Sequence, residues 1–516
     1  MSPSSLRPYG RVAVGALVLG LVAAVPAAPA AARGARGGIA WAACGERLEC
    51  AQVQVPLDWS KPRGRTITLA VARHLASDPA HRIGSLLVNP GGPGDSGIAE
   101  VFSRGAQLDA LTQGRFDVVG WDPRGSGSST AVSCFASAAE RAVFWGDLKV
   151  PSTRAEEPRY LARTVQLAER CGQRSGDLLR HISMADQVRD LDHLRHLVGD
   201  RRLTFFGESN GTLMGQTYAN MFPGRVRAMA LDGIVDPVSY NRGTAAALAD
   251  GLTDTDEVWD RFLAACEAAG PSRCAMAGQG PVKPRVDAFL ARLRDTPLPA
   301  PNATPPGVLT YGEVLTLAKY NVPAFPEAWP LVSGPMELAI QGDGSILKDL
   351  GAELSSDPVR LAFEQNVALT CADAPSQQAA AQWPGVVHEL ERVSRIGGRP
   401  FGWVAGAPCA SWPARSAVRY TGPWDARTRT PILLISLKYE PNTPLSAARR
   451  VERRLDNAVL LVQDGVGHLT EKNPSACVDA ALGAYLVGLR TPARGTVCAS
   501  DREPFDPAFG QPLGQG

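Results

Sequence analysis

The chain has 516 residues, of which 45% are hydrophobic and 20% charged, and a formal net charge of +2. That length accommodates several structural units, or one large core with a substantial insertion, and the composition is ordinary for a globular protein. With no strong basic field, nucleic acid is not expected as a partner, and no nucleotide-phosphate loop or metal-binding His cluster is present, so no metal is expected.

The chain opens with Arg7 and Arg11, then an apolar run from Val12 to Val25, then the small-residue string "PAAPAAARGARGG". This is the order of a secretory signal peptide, placed at residues 1–32 with cleavage near Ala32. The run is short for a membrane span, with a retained membrane anchor as the alternative, and no other segment reads as one, so the expectation is a secreted protein, extracellular or cell-wall associated, with no stable membrane partner. Ten cysteines agree with export: Cys44, Cys50, Cys134, Cys171, Cys266, Cys274, Cys371, Cys409, Cys477 and Cys498. None forms a C-x-x-C pair, and an oxidising compartment favours disulfides. Pairing neighbours in order closes five local loops without crossing, although sequence alone leaves connectivity open.

Residues 51–76 read as two strands, "AQVQVPLDW" and "TITLAVARHL", around the turn-rich "SKPRGR". In "GSLLVNPGGPGDSG" an apolar run, Leu86 to Val88, stops at glycine and proline, and "FDVVGWDPRGSGSS" repeats that design. Val188, Leu191, Leu194 and Val198 fall at helical spacing within 183–200, with Ser183 and Asp186 as a capping start. "LTFFGES" is another strand, "GTLMGQTYANMF" a helix, and "VRAMALDGIVDP" a further strand. Short buried strands alternating with helices imply an α/β fold with a mostly parallel central sheet, whose reactive groups lie beyond the carboxyl ends of strands. From 237 to 429 the pattern turns mainly helical, and strands return at "PILLISLKYEP" and "NAVLLVQDGVGHL". The expected organisation is therefore a core at 33–236, an inserted cap at 237–429 and the rest of the core at 430–516.

Gly207-Glu208-Ser209-Asn210-Gly211 matches G-x-S-x-G. A glycine-rich chain shows such a string by chance, but a strand before it and a helix after it are the context of a nucleophile elbow. A serine nucleophile needs a base, an acid to orient that base, and donors for the developing oxyanion. His468 in "DGVGHL" follows the last strand, and Glu440 ends the strand before it, giving the chain order Ser, acid, His. Asp464 is the competing acid, four residues before His468. For the oxyanion, one N–H is expected from Asn210 and one from "NPGGPG", where prolines carry no N–H and Gly92 is preferred to Gly91 and Gly94.

With these residues in place, the chain resembles the secreted tripeptidyl aminopeptidase branch of the α/β-hydrolases, relatives of prolyl aminopeptidases. The resemblance spans nearly the whole mature chain, through "NPGGPGDSG", "MADQVRDLDHLRHLVG", "GESNGT", "CADA", "CASWP", "EPNTP" and "GVGH". It implies an α/β-hydrolase fold with a cap over the site, release of short peptides from free N-termini, and no cofactor. It also implies Ser209 as nucleophile, His468 as base, position 440 as acid, and neighbour-paired disulfides including Cys371–Cys409 and Cys477–Cys498. The family usually has Asp at the position of Glu440, Tyr at that of Asn210 and Gly or Ala at that of Asp95.

The resulting expectation is an exported serine exopeptidase acting through an acyl-enzyme on a peptide substrate. Asn89, Asp95, Glu208 and Asp373 are candidate substrate contacts, the three acids for a free amino terminus. An esterase acting on a small acyl substrate with the same Ser–His–Glu set is the alternative. A non-catalytic binding protein is a third reading, opposed by the complete set in the right order. Cleavage-site preference and oligomeric state are not legible in the sequence.

Overall fold

The structure is a computed structural model that describes residues 38–353 and 355–509; the expected signal peptide at 1–32 lies outside them. Twelve strands occur among the described residues: β1 Ala42–Gly45, β2 Leu48–Pro56, β3 Thr66–His74, β4 Gly84–Asn89, β5 Phe116–Trp121, β6 Leu203–Glu208, β7 Val226–Asp232, β8 Leu298–Ala300, β9 Gly307–Leu309, β10 Ile432–Tyr439, β11 Ala458–Val466 and β12 Val497–Ala499. Ten form one sheet in the order β1-β2-β3-β5-β4-β6-β7-β10-β11-β12. The first three are antiparallel to their neighbours, and from β5 onward every pairing is parallel.

Period-two alternation sends consecutive apolar residues to opposite faces of this sheet. Leu86, Val88, Phe206 and Ile435 pack against the helices Gly97–Leu111 and Ala476–Gly488, through Ile98, Val101, Val478 and Tyr485. Leu87, Phe205 and Leu434 face the other way, against Met184–Leu197, Asn210–Met221 and Leu445–Arg454, through Val188, Leu191, Leu213 and Val451. With both faces covered, β4, β5 and β6 are buried at every position. The N-cap at Ser183 forms as its sequence predicts, the hydroxyl accepting from Asp186 N–H at 3.1 Å. This is the expected α/β-hydrolase architecture, and it brings the carboxyl ends of β4, β6, β7, β10 and β11 to one edge.

Between β7 and β10 the chain leaves the sheet and runs as helices, with one short hairpin, β8–β9, that the sequence pattern did not suggest. A second excursion, between β5 and the helix Met184–Leu197, carries the helices Ala138–Trp145 and Glu157–Ser175. It packs against the first: Arg141 pairs with Glu364 at 2.8 Å and Asp357 at 2.7 Å, Lys149 with Glu313 at 2.8 Å, and Trp145 meets Phe363 edge-on. Residues of both excursions therefore roof this edge of the sheet. The cysteines pair as Cys44–Cys50, Cys134–Cys171, Cys266–Cys274, Cys371–Cys409 and Cys477–Cys498, with none free.

Candidate active site

Ser209 occupies the turn between β6 and the helix Asn210–Met221, with φ 53° and ψ −121°. A non-glycine residue tolerates such a conformation only where its surroundings fix it. Here Ser209 N–H donates to Asp232 O at 2.9 Å, and the Thr212 hydroxyl donates to Ser209 O at 2.7 Å. Gly211 lets the helix approach β4, since a Cβ there would lie 2.4 Å from Asn89 O.

Glu440, fully buried at the end of β10, meets His468 beyond β11: Nδ1 lies 2.9 Å from both carboxylate oxygens. The carboxylate can only accept, so Nδ1 carries the proton and Nε2 is the free ring nitrogen. Glu440 also accepts from Asn442 N–H at 2.9 Å, Thr443 N–H at 3.3 Å and Leu469 N–H at 3.3 Å. Asp464, the other candidate acid, is on the surface and pairs with Lys438 at 3.1 Å. Burial alone lowers the pKa of His468, but the charge and hydrogen bond of Glu440, with Asp232 beyond, overcome this and raise it. Asp232 is itself fully buried and holds the His468 loop by accepting from Thr470 N–H at 2.9 Å and Thr470 Oγ1 at 2.7 Å. Ser209 and His468 line the same cavity and make no direct hydrogen bond in this structure; catalytic contacts of this kind commonly tighten only with substrate present.

The loop after β4 wraps the elbow. Gly91 has φ 102°, and a Cβ on it would lie 2.8 Å from Asn210 N, so only glycine fits there. Its own N–H donates to Asn89 Oδ1 at 3.2 Å, and Asp95 N–H donates back to Gly91 O at 3.2 Å. Gly92 and Gly94 both leave their N–H without a hydrogen bond among the described residues, and of the two Gly92 lines the cavity with Ser209; Asn210 N–H, at the first position of its helix, has no intrahelical partner. These two donors belong to residues that line the same cavity as Ser209. Asn210 is buried, its side chain beside the Tyr240 hydroxyl.

These groups face a cavity of about 790 Å³ beneath the two excursions. Of the expected substrate contacts, Asp95 and Glu208 line it and Asn89 and Asp373 do not. Asn89 lies beneath the glycine loop and supports it. Asp373 caps the first turn of Met184–Leu197, accepting from Met184 N–H, where the helix end favours a carboxylate; its burial there pushes it up to about 7. Glu208 is shared with Glu100 and Glu471 around Arg104 Nη1, at 2.9 Å from Glu208 and 2.7 Å from Glu100. Burial pushes Glu208 well up against the pull of this guanidinium. Arg104 thereby joins the helix after the glycine loop, the nucleophile strand and the His468 loop. Asp95 has open surface, but that surface faces the cavity; this enclosure raises its pKa against the opposing pull of His468.

Sequence reasoning missed Arg104, Asp232, Tyr240 and Lys319. Arg104 stands one helical turn after Glu100, and Lys319 stands four residues after Leu315 on an apolar helix face, a spacing that places a charge in the core.

The family described as "alpha/beta hydrolase fold" matches residues 84–273, and "TAP-like protein" matches 399–498. The chain is 31% identical over 497 residues to a tripeptidyl aminopeptidase of Streptomyces lividans, covering 90% of this chain and 88% of that one. It is 30% identical over 469 residues to the serine protease Hip1 of Mycobacterium tuberculosis, covering 87% of each. It is 30% identical over 490 residues to a protein named carboxylesterase B from the same species, covering 89% and 90%.

Proposed function

Because the chain belongs to the tripeptidyl aminopeptidase-like family of α/β-hydrolases, we propose that this serine hydrolase is an exported exopeptidase releasing short peptides, tripeptides foremost, from free N-termini. The observation that carries this reading is the pairing of buried Glu440 with His468, which lines the same cavity as a strained Ser209 and the backbone donors of Gly92 and Asn210. Ser209 Oγ attacks the scissile carbonyl while His468 Nε2 takes its proton, and Glu440 stabilises the imidazolium. Gly92 and Asn210 N–H groups receive the oxyanion. The imidazolium then protonates the leaving amine, the C–N bond breaks, and water, deprotonated by His468, releases the acyl group. The five disulfides and the leader-like start of the chain support export.

An exopeptidase needs an anion for the substrate's ammonium. Most acids of the cavity are already matched: Glu100, Glu208 and Glu471 share Arg104, Asp236 and Asp250 share Arg450, and Glu313 pairs with Lys149. Asp95 faces the cavity with no ion pair among the described residues, next to the proposed oxyanion loop. Asp95→Asn should raise KM about tenfold or more for substrates with a free α-amino group, the loss of one charge-assisted contact. Substrates blocked at that amine should be unaffected, and an equal change for both kinds would remove Asp95 from this role.

The name of one relative, carboxylesterase B, favours a second reading: the same groups acting on a small acyl ester. Assays of the purified mature protein on tripeptidyl, aminoacyl and short acyl-ester chromogenic substrates separate the two. Faster release from the tripeptidyl amide supports the exopeptidase, whereas ester turnover without any amide turnover overturns it.

A further inference from the structure

Lys319 is a charged residue in the apolar heart of the roof. It sits on the helix Tyr311–Asn321, is 2% exposed, and has the Phe401 ring 4.8 Å from Nζ. Its ammonium is not free for a substrate. Nζ donates to Asn442 Oδ1 at 2.7 Å, Pro441 O at 3.0 Å and Thr255 Oγ1 at 3.4 Å. Thr255, also from the roof, donates its own hydroxyl proton to Pro441 O at 2.9 Å. Three acceptors therefore surround a group with three protons, and a neutral amine could donate to only two of them.

Pro441 and Asn442 are the two residues that follow Glu440. Asn442 is held on one side by Lys319 and on the other donates its N–H to Glu440 Oε1. The same carboxylate receives His468. A continuous chain of hydrogen bonds thus runs from a roof helix through the turn after β10 to the imidazole. The roof also touches the His468 loop directly, since His468 N–H donates to Ala324 O at 2.8 Å, just beyond the helix that carries Lys319.

We propose that Lys319, as an ammonium, is a positioning residue that holds the Pro441–Asn442 turn, and through it Glu440, in the geometry His468 requires. The inserted region then belongs to the catalytic apparatus itself, beyond enclosing the substrate. The inference rests on Glu440 being the acid of the reaction. It also carries a pH consequence. Burial lowers Lys319 to about 7, with Glu440 and Asp256 pulling the other way; His468 is the third titratable group that faces it. Raising the pH through that value removes the third proton and slackens the turn. The acid side of the profile belongs to His468, whose neutral form is needed and whose raised pKa moves that limb above the ordinary imidazole position. Activity is bounded by these two limbs.

The test measures kcat at saturating substrate from about pH 5 to 9, so that the substrate's own ammonium does not enter, for wild type, Lys319→Met, Thr255→Val and Glu440→Gln. Wild type should lose activity through an alkaline limb near neutrality, with the strong temperature dependence of an amine ionisation. Lys319→Met should lower kcat about tenfold with KM nearly unchanged, and its alkaline limb should vanish. Thr255→Val, which keeps the side-chain volume, should lower kcat less and retain the limb. A merely structural lysine would change thermal stability and leave the profile as it was. Wild-type kcat with the limb intact in Lys319→Met overturns the proposal. If that variant does not fold, a wild-type profile without an alkaline limb overturns it. Full activity in Glu440→Gln removes the reading on which the inference rests, whereas loss there beside an unaffected Lys319→Met overturns the inference alone.

Discussion

Ser209→Ala should reduce turnover of amide and ester substrates alike by about 10⁴- to 10⁶-fold while leaving a folded protein. The hydroxyl is the nucleophile of the proposed reaction, and nothing else beside the two backbone donors offers one on the elbow. Removing it leaves Gly92 and Asn210 N–H groups, the cavity and Asp95 in place, so substrate binding should persist and the loss should fall on kcat. The backbone that imposes φ 53° is held by the N–H and C=O of residue 209 through Asp232 O and Thr212, not by the side chain, so the turn survives the change. Steady-state kinetics provide one check and intact-mass measurement after a sulfonyl fluoride another. Wild type should gain one sulfonyl group and the variant none. Wild-type rates in Ser209→Ala would exclude both the peptidase and the esterase reading.

Glu440→Gln should lower kcat by roughly 10³- to 10⁴-fold. All four groups that approach this carboxylate are donors: His468 Nδ1 and the N–H groups of Asn442, Thr443 and Leu469. A glutamine must turn its NH₂ toward one side of that ring of donors. With NH₂ on the Leu469 side it confronts an N–H and presses His468 toward the tautomer whose Nε2 carries the proton and cannot accept another. With NH₂ on the other side it opposes two N–H groups. Either orientation costs stability as well as rate, since a buried unmatched donor is expensive. Asp464→Asn is the contrasting control, and with its carboxylate on surface Lys438 it should be near wild type. A Glu440→Gln rate equal to wild type would move the acid role to Asp232, the buried carboxylate that already holds the His468 loop.

The elements that punctuate this chain strongly were legible in advance. Apolar runs that give way to Asn-Pro-Gly after Val88 and to Gly after Phe206 marked strands, and the string around Ser209 gained its meaning from the strand and helix on either side. His468 was readable because it follows the last long strand. Glu440 was preferred to Asp464 from its place after a strand, but what separates the two is burial: Glu440 follows the end of β10 and is fully buried, whereas Asp464 lies within β11 and faces solvent beside Lys438. Asp373 looked equally eligible for substrate, but its direction is set by a helix start almost two hundred residues earlier in the chain. Lys319 and Arg104 take their sense from partners far away in sequence, on the turn after Glu440 and the loop after His468. The helices Ala138–Trp145 and Glu157–Ser175 were not singled out in the sequence, and β12, at three residues, is too short to carry a pattern.

The five disulfides each close a segment within one part of the molecule: Cys134–Cys171 within one excursion, Cys266–Cys274 and Cys371–Cys409 within the other, and Cys44–Cys50 and Cys477–Cys498 within the sheet layer. None crosses from the sheet layer to an excursion. Apart from the chain itself, the roof is therefore held to the sheet layer by non-covalent contacts alone, among them those of Lys319 with the turn behind Glu440, so reducing a roof disulfide loosens the enclosure without cutting a covalent tie to the triad's strands.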